Sequence, residues 1–223
     1  KSQEHYIKGN DLVLDDDFVN AKKEYELAIK ADPKNWRACY QLAGVYQLEG
    51  DFKNAFQYFS KAVELNPKFT MGYYNRVNLK EMVGDEQGCM EDLNKALENQ
   101  KGIFTLLMAK GRKEYQVGRL REALIAFDAA IKARPDYFLA YSMRASCRYK
   151  MKDYMGALSD FDEEIRLNPD HVMGYINKAV VHADMKDFRA AINDVNMAVQ
   201  KNPQWSQVYI YRGMYYQQAN MKD

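Results

Sequence analysis

Residues 152–169 read KDYMGALSDFDEEIRLNP. Tyr154, Ala157, Phe161 and Ile165 share one face of a 3.6-residue period, so the stretch is predicted to be a helix. It opens on a turn at Lys152 and Asp153. It closes at Asn168-Pro169, because proline disfavours helix for the residue before it. Displaced by 34 residues in either direction, the same pattern returns. All five prolines (Pro33, Pro67, Pro135, Pro169 and Pro203) hold one place in that period, and Lys101 fills the missed beat. Repeats run without insertion over 2–35, 36–69, 70–103, 104–137, 138–171 and 172–205, with a half repeat over 206–223. Such a chain grows by stacking units, so a single array across 1–223 is expected.

Each repeat reads helix, turn, helix. Its eighth position is small or modest (Gly9, Ala43, Val77, Gly111, Ala145, Ala179, Gly213) and its twentieth is small (Ala21, Ala55, Cys89, Ala123, Ala157, Ala191). Two helices cross closely only where neither carries bulk. The twenty-fourth position (Tyr25, Phe59, Leu93, Phe127, Phe161, Val195) fills the space beside that crossing. Gly50, Gly84 and Gly118 are expected to end first helices, and Asp51, Asp85, Asp153 and Asp187 to cap second helices.

Positions seven and twenty-three vary together: Lys8 with Glu24, Arg76 with Asp92, Arg144 with Asp160, Lys178 with Asp194. Where the first is Leu42 the second is Tyr58, and Lys110 with Ala126 breaks the pattern. The expectation is a partly buried ion pair joining the two helices of a repeat, since a lone charge there would be costly. Glu164 stands where other repeats carry Ala28, Ala62, Ala96, Ala130 and Ala198. Four residues after Asp160, it is expected to join that network through Arg144 or Lys178.

The register and its small, aromatic and proline positions make the chain resemble the tetratricopeptide repeat (TPR) family over essentially its whole length. The resemblance implies an all-α, right-handed α-solenoid superhelix of antiparallel helix-turn-helix repeats, with first helices lining a concave groove. It further implies that groove residues come from the second, fifth, sixth, ninth, twelfth and thirteenth positions of first helices. In the first three repeats these include Tyr6, Asn10, Arg37, Tyr40, Gln41, Met71, Tyr74, Asn75 and Asn78. Later repeats supply Met108, Arg112, Tyr115, Met143, Tyr149, Met173, Ile176, Asn177 and Tyr211. Tyrosine offers apolar area with a polar tip, methionine adapts to irregular surfaces, and asparagine pairs with peptide backbone. The alternative is that many of these side chains pack between neighbouring first helices. The Lys/Asn/Arg clamp with which some relatives grip chaperone C-termini is absent: the corresponding positions are Tyr6, Asn10, Gln41, Met71 and Asn75.

A formal net charge of +1, with both signs interleaved, lacks the basic stripe of a nucleic-acid reader. The longest apolar run, 103–109, is too short for membrane insertion. Cys39, Cys89 and Cys147 are isolated and read as packing residues. His5, His171 and His182 show no ligand spacing, and Asp15, Asp16 and Asp17 read as a capping turn, so neither metal nor cofactor is expected. No nucleophile elbow or phosphate loop is present. The reading is a non-catalytic scaffold that holds an extended peptide or partner helix. Two other roles fit the same sequence: a targeting or regulatory segment of a larger enzyme or signalling protein, or a module assembling end to end. The start at Lys1 and the break at Met221, Lys222 and Asp223 suggest that the parent chain continues, with self-association through that end as a further expectation. The compartment is left open, a soluble one, cytoplasmic or reached after loss of a signal peptide.

Overall fold

The computed structural model describes residues 1–100 and 103–219. First helices α1 (Ser2–Leu14), α3 (Trp36–Leu48), α5 (Thr70–Met82), α7 (Phe104–Gln116), α9 (Phe138–Lys150), α11 (Val172–Asp184) and α13 (Ser206–Gln218) alternate with second helices. These are α2 (Phe18–Ala31), α4 (Phe52–Leu65), α6 (Glu86–Asn99), α8 (Leu120–Ala133), α10 (Tyr154–Leu167) and α12 (Phe188–Lys201). The described residues hold no strand, and the helix starts keep the sequence period throughout. The fold is the all-α helical-repeat solenoid read from the sequence. Lys101 and the Met221–Asp223 break lie outside the described residues.

The chain divides into two compact blocks, Lys1–Lys101 and Gly102–Asp223. In the first, each helix from α1 to α6 packs on the next, and α1 also meets α3. In the second, α7 to α13 pack in the same sequential way, and α7 meets α9. The crossing inside a repeat is as tight as its small residues allow. A Cβ added to Gly9 would lie 2.6 Å from Tyr25 Cε1, and one added to Gly111 would lie 2.5 Å from Phe127 Cε1. Ala21, Ala55, Cys89, Ala123, Ala157 and Ala191 are fully buried beside them. Phe59 and Phe127 have no exposed surface, so truncating either to alanine removes about 3–5 kcal/mol.

The turns follow from local chemistry. Asp17, Asp51, Asp85, Asp153 and Asp187 each accept a backbone N–H three residues on, capping the second helix. The residue before the cap is left-handed in all six complete repeats: Gly50, Gly84 and Gly118 sit at φ +73 to +79°, while Asp16, Lys152 and Lys186 reach φ +59 to +65° without glycine. At the far end, Asp32, Asn66, Asn168 and Asn202 accept the N–H two residues on, across the proline.

A contact absent from the sequence reading links the two ends of a repeat. The residue that opens the first helix packs, tilted or edge-on, against the residue that follows the second: Trp36 against Phe69 at 4.5 Å, Phe104 against Tyr137 at 4.9 Å, and Phe138 against His171 at 5.0 Å. The third pair explains Glu164. With histidine in the aromatic slot, its Nδ1 needs a partner, and the fully buried Glu164 Oε1 provides one at 2.5 Å. Ser142 also bonds Glu164. The expected link from Glu164 to Arg144 or Lys178 is therefore wrong: Arg144 pairs with Asp160 and Lys178 with Asp162.

Candidate protein-binding faces

What a first helix presents outward depends on how it is fixed to its second helix, and buried carboxylates do much of this. Asp92 accepts from Arg76 Nε and Nη2 at 2.9 and 2.7 Å, a two-point fork. Asp160 accepts from Arg144 at 2.9 and 2.6 Å. Glu24 meets Lys8 at 2.6 Å. The fourth expected pair is looser. Lys178 Nζ stands 3.8 Å from Asp194 and binds Asp162 of the preceding repeat at 2.7 Å.

The sequence reading missed a second basic partner at each site. Lys80, Arg148 and His182, all at position eleven, reach Asp92, Asp160 and Asp194 at 3.0, 2.9 and 2.6 Å. In the first repeat His5 takes that part, 2.6 Å from Glu24. In the second repeat, Tyr46 at position eleven stacks on Tyr58 at 5.7 Å, an apolar version of the same contact. In the fourth the polarity is reversed: Glu114 occupies position eleven, is buried, and faces Arg119 at 2.6 Å. All three histidines thus hold carboxylates.

These networks tune their members. Burial would lower the Arg144 guanidinium, but bonds to Asp160 and Asp128 outweigh it and hold the group charged. Burial raises Glu164 and Asp194 despite their histidine partners. Glu24 is lowered, chiefly by Lys8 and then His5. Cys147 is pushed up to about 11 by burial, so it is an unreactive packing thiol.

The predicted face residues divide into three kinds. Arg37, Met71, Arg112 and Met173 are exposed, and Tyr74, Asn78, Met143 and Asn177 are half-buried. Several others are already tied to neighbours. Tyr40 packs edge-on against Phe69 at 4.7 Å and accepts Asn75 Nδ2 at 3.1 Å. Asn10 Oδ1 accepts Tyr25 Oη at 2.8 Å and Gln41 Nε2 at 3.4 Å, and Tyr6 lies 6.3 Å from the Tyr25 ring. Tyr115 lies under Lys150 Nζ at 4.0 Å. Tyr149 donates to Asp184 at 2.7 Å, which pushes it up to about 12. Tyr211 sits 6.3 Å from Tyr215. Met108 and Ile176 are buried, so for these two the packing alternative holds and they are not part of an outward face. Their first helices turn position five inward against the second-block core.

Among the described residues, no His/Cys/Asp/Glu group has metal-binding geometry, and no helix is long and apolar enough to cross a membrane.

Stacked helix pairs with a partly open first-helix face define a helical-repeat interaction scaffold. The tetratricopeptide repeat profile matches residues 36–69 and 108–171. The chain belongs to the tetratricopeptide repeat family. Its fold is similar to that of YrrB, described as a TPR protein with an unusual peptide-binding site, at TM-score 0.76 and 17% identity, covering 85% of this chain and 97% of that one. A tetratricopeptide repeat protein from Parabacteroides merdae matches at TM-score 0.70 and 19% identity, over 98% of this chain and 87% of the other. PilF of Pseudomonas aeruginosa matches at 0.68 and 15%, over 96% and 97%. A sequence search of curated proteins gives no match. Proteins of this family are generally non-catalytic modules for protein–protein interaction.

Proposed function

We propose that the first-helix faces bind an extended peptide or a partner helix, and that the chain acts as a non-catalytic scaffold. The observation that carries this is the run along α5: Met71 is 47% exposed, and Tyr74 and Asn78 make no hydrogen bond or ring contact that would commit them to the fold. They offer an adaptable thioether, a phenol and an amide on one helix, at positions two, five and nine. Such a set gives a peptide both apolar area and backbone pairing. The same fold carries a peptide-binding site in YrrB.

The test is selection from a peptide library, followed by binding measurements on Tyr74→Ala and Asn78→Ala. Both variants are expected to lose affinity with little change in melting temperature. Tyr40→Ala is a poor probe, because Tyr40 packs on Phe59 and Phe69 and its loss would weaken the fold. Full binding by both variants would place the site off the α5 face.

A further inference from the structure

Between the C-terminal ends of α1 and α3 the first block holds an open cleft of about 880 Å³. Its walls are Val13, Leu14, Val45, Leu48 and Phe52, and its polar rim is Asn10, Gln41 and Gln47, with Gly44 between them. The lining contains no charged group. Its one ionisable member, Tyr25, is pushed up to about 12 by burial and stays neutral. Leu14 is 83% exposed and Leu48 is 69% exposed, a large apolar cost to leave in water.

Gly44 has no structural reason to be glycine. It lies inside α3, where glycine weakens a helix relative to alanine. A Cβ built on it would meet nothing within 4 Å. This sets it apart from Gly9 and Gly111, whose missing Cβ makes room for a ring. The same position in the other repeats carries Asn10, Asn78, Arg112, Ser146, Val180 and Met214. What the absent side chain provides is empty space in the cleft. Around that space the polar groups are only partly used. Asn10 Oδ1 is taken by Tyr25 and Gln41, while Asn10 Nδ2, Gln41 Oε1 and the Gln47 amide have no protein partner.

We infer that this cleft is a specificity pocket for one uncharged, apolar side chain of the bound peptide, seated over Gly44, with the adjoining peptide backbone paired to the amides of Asn10, Gln41 and Gln47. A neutral lining has nothing to offset the desolvation of a charged side chain, so aspartate, glutamate and lysine are rejected there. Neighbouring amides that both donate and accept suit the peptide backbone on either side of the anchor. The inference rests on the proposed peptide-binding role of the first-helix faces and names what one of them selects.

The probes are N-acetyl-leucine methylamide, N-acetyl-aspartate methylamide and N-acetyl-lysine methylamide, titrated into the full chain with labelled Val and Leu methyl groups. The leucine probe is expected to shift Val13, Leu14, Val45 and Leu48 saturably, with both charged probes weaker by about tenfold or more. Gly44→Leu fills the cleft and should weaken the leucine probe by about tenfold or more, with melting temperature unchanged or raised. The exposed pair Leu14→Ser and Leu48→Ser should weaken it as well, independently of any effect on α3. Equal binding of charged probes, or undiminished binding by Gly44→Leu, would overturn the pocket. Leucine-dependent shifts confined to other first-helix methyls would overturn the pocket and leave the peptide-binding role standing. Shifts confined to second helices would count against both.

Discussion

Replacing Asp160 tests how the first and second helices of a repeat are joined. Its carboxylate is 2% exposed and accepts three hydrogen bonds, two from Arg144 at 2.6 and 2.9 Å and one from Arg148 at 2.9 Å. Asp160→Tyr alone leaves both guanidinium groups without their shared partner. Removing one side of a buried pair costs about 3–5 kcal/mol. The lower end applies, because Arg144 keeps Asp128 at 2.7 Å and Arg148 keeps the Gly156 carbonyl at 3.2 Å. For a chain of this size about 3 kcal/mol corresponds to a fall of roughly 6–12 °C in melting temperature. The second repeat shows what an uncharged version looks like: Leu42, Tyr46 and Tyr58, with the two tyrosine rings stacked. Transplanting it as Arg144→Leu, Arg148→Tyr and Asp160→Tyr together should recover all but about 1 kcal/mol, since a buried ion pair and a well-packed apolar group of similar volume are nearly equivalent. Asp128 would then be unpaired, but at 38% side-chain exposure water solvates it cheaply. Urea unfolding followed by circular dichroism reads both variants. A triple variant no more stable than the single one would refute the reasoning.

Other predictions follow from the same contacts. Gly111→Ala pushes a methyl to 2.5 Å from Phe127 and should cost about 1–2 kcal/mol net of better helix propensity, whereas Gly44→Ala should gain about 0.5–1 kcal/mol; thermal melts distinguish them. Burial raises the Glu164 carboxyl above its ordinary 4.5, against the bonds from His171 and Ser142. A raised carboxyl stabilises the fold below its ordinary value and loses that contribution as pH rises through the folded value. Glu164→Gln, lacking this loss, should gain stability relative to the unsubstituted chain as pH rises above the ordinary 4.5, read from urea midpoints. The Glu24 carboxyl is lowered, by Lys8 and then His5, so its contribution is present above the ordinary 4.5 and lost as pH falls through the lowered value. Glu24→Gln should therefore matter more at about pH 7 than at about pH 3.

The helix frame was legible because each of its determinants is local and repeats. Asp51 caps the helix it precedes, Asn168 closes the helix before Pro169, and Ala157 lies next to Phe161 because both obey one period. The co-varying pairs at positions seven and twenty-three were legible for the same reason. The second basic partner was legible too: position eleven is Lys80, Arg148 or His182 in the repeats where position twenty-three is aspartate. Glu164 was misassigned because its partner, His171, is defined by an aromatic slot spanning the two ends of a repeat. Helical spacing from Asp160 carries no information about that contact.

The face residues were only partly legible. Position alone cannot separate Tyr74, which is half-buried, from Met108 and Ile176, which are buried at the same fifth position of their repeats. The difference lies in neighbours contributed by adjacent helices. Nor did the positional rule single out Gly44, whose significance depends on the absence of any atom within 4 Å. Empty space leaves no mark on a periodic pattern.

The most direct test of the account is hydrogen–deuterium exchange on the full chain, with and without a saturating peptide chosen by library selection. Protection concentrated in first helices, foremost α3 and α5, is the predicted result. Protection confined to the second helices α4, α6, α10 and α12 would contradict it.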